Sequence, residues 1–206
     1  MRYVKDLLSA VLAGVCIAMG GIAYLSIENT VAGALFFCLG LFVILTHSLN
    51  LFTGKVCFAL DEKPRYILTL AVIYLGNLIG AVGTGLLVSV TRIGERLGQR
   101  AADICSAKTG DGVLSLFILG ILCNVLIYVA VWGYRENKHD VGKYLALMFG
   151  VAAFVVCGFE HCVANMFYFT VAGAWGADAV ICLIAVTAGN IVGGLLFPLF
   201  KKIIFK

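Results

Sequence analysis

The stretch Gly158 to Asn165 reads GFEHCVAN and sets an acid and an imidazole inside an apolar run from about Tyr144 to Phe169. An ionisable side chain at bilayer depth costs anywhere from ~2.5 to ~17 kcal/mol, depending on the scale. Such groups are kept where they line a pathway or meet a partner, so Glu160 and His161 are the first candidates for function. A break in the helix at Gly158 to Cys162, followed by a second short half, accounts for both.

The reading requires a membrane, and composition supplies one. The chain has 206 residues, 62% hydrophobic and 13% charged, with a mean hydropathy of +1.05. Soluble domains average roughly 45–50% apolar and 25% charged residues. A helical span needs about 20 mainly apolar residues, and six candidates follow, at roughly 7–27, 31–60, 66–91, 113–134, 144–169 and 177–200. Little remains for a soluble domain, so residues 1–206 read as one all-α transmembrane domain. The first segment follows Arg2 and Lys5 as a signal peptide would, but it is too long and has no convincing cleavage site.

Basic residues orient the chain. Arg2, Lys5, Lys63, Arg65, Arg135, Lys138, Lys143, Lys201, Lys202 and Lys206 fall on one side, against Arg92, Arg96, Arg100 and Lys108 on the other. The excess predicts cytoplasmic termini, and the net charge of +4 then needs no nucleic-acid partner. Trp132, Tyr134 and Trp175 suit interfacial belts. Seven of the eight cysteines lie in apolar segments and only Cys105 in a polar connection, so no disulfide framework follows.

Segment two breaks like segment five. FFCLGLFVILTHSLNLFTGKVCFAL is apolar, turns polar from Thr46 to Asn50, and resumes at Thr53-Gly54-Lys55. Irregular backbone at this depth is tolerated only where protein buries it or a cavity receives it. Gly76-Asn77-Leu78-Ile79-Gly80 in segment three matches Gly189-Asn190-Ile191-Val192-Gly193 in segment six, and segments one and four align loosely at Gly14 and Gly120. Each half, about 1–91 and 113–206, holds three spans, so the halves enter the membrane from opposite sides. An aquaporin-like inverted repeat of three plus three spans, with helices 2 and 5 broken, is predicted, and the paired breaks mark a site near the midplane.

Around that site the candidates are few. His161 offers a donor and an acceptor within hydrogen-bonding reach of a permeant, or else it ties the break together. Glu160 reads more readily as a group that holds the break. Asn124, the one amide in segment four, serves interhelical bonding or the passage. Thr53 contributes a hydroxyl, Lys55 is expected to snorkel to the cytoplasmic side, and His47 to cap the first half-helix. The charges between Thr91 and Gly112 read as solvated, save Lys108, which stands beside segment four. Phe37, Leu41, Leu51, Phe52 and Phe154 read as core from spacing alone.

The strings LNLFTGK, GILCNVLIYVAVW, GFEHCVANMFYF and AGNIVGG, in this order and along nearly the whole chain, resemble the signature stretches of the formate/nitrite transporter family. The resemblance implies a homopentamer, each subunit passing small monovalent anions or their weak acids: formate, nitrite, hydrosulfide or short monocarboxylates. It implies no cofactor and no enzyme activity. It makes His161 the central pore histidine with Asn124 and Thr53 beside it, and Lys108 the anion-attracting vestibule lysine. It reassigns Phe37 and Phe154 to an outer constriction, and Leu41, Leu51 and Phe52 to an inner one. Three departures accompany it: the sequence starts directly at its first span without the amphipathic helix of longer members, Asn50 stands where many relatives carry an acid, and Lys55 is unusual after Thr-Gly. A rival reading is a membrane haem-binding oxidoreductase subunit using His47 and His161. An intramembrane hydrolase lacks a nucleophile paired with a base, and HExxH is absent.

Overall fold

A computed structural model describes residues 2–204, which are helical with no strand among them. Lys206 lies outside the described residues, and so does the side chain of Arg2. The helices are α1 (Arg2–Ser26), α2 (Thr30–Thr46), α3 (Phe52–Val56), α4 (Tyr66–Ser89), α5 (Gly94–Thr109), α6 (Val113–Glu136), α7 (Asp140–Val156), α8 (Cys162–Val171) and α9 (Ala177–Ile204), with a 3₁₀ turn at Ala59–Asp61. Helices α1, α4, α6 and α9 are long and apolar enough to cross a membrane. At 1.5 Å per residue the 17 residues of α2, and likewise of α7, rise about 26 Å, short of a hydrocarbon core of about 30 Å. Neither crosses alone.

Each ends instead in a left-handed residue, Ser48 (φ 54°) after α2 and Gly158 (φ 68°) after α7. The next amides turn back, Leu49 N–H to Ile44 O at 2.8 Å and Phe159 N–H to Phe154 O at 2.9 Å, closing Schellman-type caps. Glycine meets this backbone without strain, whereas a serine there costs about 1–2 kcal/mol. The short helices α3 and α8 begin three residues later.

The long helices pack in pairs, α1 on α4 and α6 on α9. Contact is backbone to backbone: a Cβ on Gly80 would run into Val11 O, and one on Gly193 into Ile121 O. Asn77 of α4 donates to Ala10 O, and Asn190 of α9 donates to Gly120 O. Ala10 therefore corresponds to Gly120, and the Gly14–Gly120 alignment expected from sequence is displaced by one turn. Two small residues looked alike there, but the asparagine bonds fix the register.

The largest surprise is α5. The connection from Thr91 to Gly112 forms a helix whose apolar positions, Leu97, Ala101 and Cys105, recur every fourth residue and are buried, with α8 as its main neighbour. Cys105, assigned to a polar connection, is inside the protein.

Candidate functional site

The two asparagines build the site by holding the breaks open in the same way. Asn77 Oδ1 accepts Phe52 N–H at 2.8 Å while its amide donates to Asn50 O at 3.0 Å. Asn190 Oδ1 accepts Cys162 N–H at 2.9 Å while its amide donates to Glu160 O at 2.8 Å. Unpaired backbone groups at this depth would each cost several kcal/mol, so these two side chains make the broken helices possible. Both lie in the repeated Gly-Asn strings of the sequence; their capping role was not read from it, although the shared pattern was the available signal.

Between the breaks the two half-helices meet. His161 caps α8, its Nδ1 accepting Ala164 N–H at 3.2 Å, and its Nε2 lies 3.0 Å from Thr53 Oγ1 on α3. A nitrogen that accepts a backbone N–H carries no proton, so the neutral ring bears its hydrogen on Nε2 and donates it to Thr53. The threonine hydroxyl keeps its own hydrogen to give. Asn124 lies alongside, its amide donating to Asn190 O at 2.6 Å and Thr53 O at 3.2 Å. Those bonds fix the orientation of the amide and leave the buried Oδ1 of Asn124 without a donor. The resulting waist presents hydrogen-bond donors and one open acceptor.

Two cavities approach this waist. One, about 260 Å³, reaches Phe37, Phe154 and His161 from the end of the molecule that carries α5. The Phe37 and Phe154 rings meet edge to face at 5.9 Å, and Phe154 stacks on His161 at 5.7 Å. At its mouth Lys108 Nζ contacts both carboxylate oxygens of Glu160 at 2.7 Å, and Asn165 adds a third bond at 2.7 Å. Only 12% of the Lys108 side chain and 5% of Glu160 are exposed. Lys108 is thus locked to the acid beside the histidine rather than free over the opening, and α5 is what carries it there. Tyr24 and Tyr168, not singled out in the sequence, also line this cavity.

The other cavity, about 610 Å³, opens toward the end with the chain termini and is bounded by Leu41 and Leu51. Phe52, grouped with them in the sequence, is placed differently: its ring packs edge-on to Tyr74 at 4.9 Å and lines neither cavity. The cause is the strand-like entry into α3, which turns Leu51 one way and Phe52 the other. Lys55 lines this cavity, half-buried. His47 caps α2 through its backbone and is exposed, outside both cavities. With both ring nitrogens of His161 hydrogen-bonded, the pair needed for haem ligation is not assembled.

Long apolar helices around two cavities that converge on a buried polar waist define a multi-pass membrane protein of the channel and transporter class. Residues 1–202 match the family model described as Formate/nitrite transporter. The chain belongs to the formate/nitrite transporter family. It is 30% identical to the formate channel FocA of Haemophilus influenzae, covering 100% of this chain and 88% of that one. It is 32% identical to the nitrite transporter NirC of Salmonella typhimurium, covering 92% and 78%. A solved structure described as a pentameric formate channel with formate bound superposes with a TM-score of 0.86 at 28% identity, over 99% of this chain and 98% of that one.

Proposed function

We propose that this chain passes small monovalent anions across the cell membrane as their neutral conjugate acids, from a homopentamer of six-span, aquaporin-like subunits with cytoplasmic termini. Formate and nitrite are the first substrates to try, since the similar proteins are named for them. The observation that carries the reading is the waist, where Thr53 and His161 meet between two cavities walled by Phe37, Phe154, Leu41 and Leu51.

A bare carboxylate entering such a band faces a desolvation term idealised at ~20 kcal/mol. Protonating an acid of pKa ~4 at pH 7 costs roughly 4 kcal/mol, so the neutral acid is the cheaper species. The anion is drawn to Lys108 and Glu160, and its own pKa rises as the surroundings dry. The waist suits the acid better than the anion. A carboxylate has only acceptors, whereas a neutral acid also has the O–H that the open Asn124 Oδ1 lacks. The Thr53 hydroxyl donates to the acid's carbonyl. The proton comes from bulk water through the cavity, because protonating His161 at Nδ1 would break its bond to Ala164.

Formate flux into proteoliposomes, followed by stopped flow, tests this. Uptake is expected to rise as external pH falls. A rate that is flat with pH, or that tracks the charged species alone, removes neutral passage.

A further inference from the structure

The cavity at the terminal end holds two cations that the waist does not use, Lys55 and Arg135. Lys55 follows Thr53 by two residues on α3 and makes no side-chain hydrogen bond or ion pair among the described residues. Arg135 is held with its guanidinium carbon 4.4 Å from the centre of the Phe58 ring. The acids nearby do not answer these charges. Asp140 is bonded to Lys143 at 3.0 Å, Glu136 is exposed to solvent, and Asp6 takes an amide hydrogen from Asn50 at 3.3 Å.

Lys108 shows the contrast. It occupies the opposite cavity with its charge met twice over by Glu160. At the corresponding break Asn50 stands in place of that acid, each residue giving its carbonyl to the asparagine that caps it. One mouth therefore has a lysine with a resident carboxylate, and the other has a lysine without one. Charges drawn out of water are ordinarily paired, and a second cation in the same cavity makes Lys55 more one-sided still. The apolar wall of Leu41 and Leu51 leaves room beside it for a small anion.

We propose that Lys55 and Arg135 form a second anion-binding station, which takes a small monocarboxylate or inorganic monoanion at the mouth opposite Lys108. The bound anion supplies the missing counter-charge and waits two residues from the Thr53 hydroxyl. Its place in transport rests on the permeation reading above, but the binding itself does not.

The experiment titrates the detergent-purified full chain with ¹³C-formate and follows line broadening of the formate signal. A binding step about tenfold weaker in Lys55→Met is expected, as befits loss of a charge-assisted hydrogen bond. Lys55→Arg should retain that step, and Arg135→Gln should weaken it. The conservative variant guards against misfolding, since a shared elution profile with restored binding separates charge from scaffold. Binding that is the same in native protein, Lys55→Met and Arg135→Gln overturns the station while leaving liposome flux, and the permeation reading, standing. A Lys55-dependent step in a protein that moves no weak acid leaves the station and removes the permeation reading.

Discussion

Thr53 Oγ1 and His161 Nε2 lie 3.0 Å apart, joining two short helices that reach the centre of the molecule from separate breaks. The bond is directional because Nδ1 is committed to Ala164. Replacing His161 with Phe removes the cap and the donor together, and formate flux should fall at least about tenfold, the equivalent of one lost charge-free donor and its orphaned partner. Thr53→Ser keeps a hydroxyl and should keep most of the flux; Thr53→Val should not. If Thr53→Val transports like native protein in the stopped-flow assay, the hydroxyl is scaffolding only.

Lys108 and Glu160 should behave as a coupled unit. Taking away one member of a buried ion pair leaves the other uncompensated, at a cost of about 3–5 kcal/mol, so Lys108→Met and Glu160→Gln should each lower the melting temperature in detergent. The double variant should recover much of that loss while still transporting poorly at low formate. Additive losses in the double variant would mean that the 2.7 Å contact carries no coupling.

The first of these features was legible and the second only in part. His161 stood out because an imidazole in an apolar run has few reasons to be there, and the interrupted segments announced both breaks. The partner of Lys108 was hidden, because hydropathy averages over α5 and reads its charges as solvated. The signal was the four-residue spacing of Leu97, Ala101 and Cys105, weak beside eight charged neighbours of Lys108's own connection. Phe52 was misplaced for a different reason: adjacent residues entering a short helix face opposite ways, and likeness to a motif does not record which. The capping asparagines illustrate a third limit. Their strings matched by eye, yet only the donor and acceptor geometry says that each holds two backbone groups apart.

Asn77 and Asn190 should therefore be interchangeable in consequence. Each satisfies one buried N–H and two carbonyls, and each group left bare costs about 1–3 kcal/mol. Asn77→Ala and Asn190→Ala should both lower the unfolding temperature strongly and by similar amounts. Asn→Asp at either place keeps the acceptor for Phe52 or Cys162 N–H but loses two donors, so it should rescue little. Thermal unfolding followed by light scattering checks this, and a mild effect at one position alone would break the equivalence.

The glycines divide by what faces them, which gives a test of packing independent of transport. A Cβ on Gly193 would overlap Ile121 O, and its carbonyl carbon lies 2.9 Å away, so α6 and α9 must separate for Gly193→Ala to fold. Overpacking of this kind costs typically 1–3 kcal/mol. Gly83, on α4, has nothing within 4 Å of the added carbon, and alanine there should gain about 0.5–1 kcal/mol from lower backbone entropy in the unfolded chain. Unfolding temperatures should thus move in opposite directions for the two alanine variants. The Gly83 variant also bears on assembly, because a second subunit pressed against that face would make its alanine destabilising. Melting temperature measured together with gel-filtration size separates the cases: a lower melting point with a smaller particle marks Gly83 as a subunit contact, and an unchanged particle with a higher melting point marks it as a lipid-facing position.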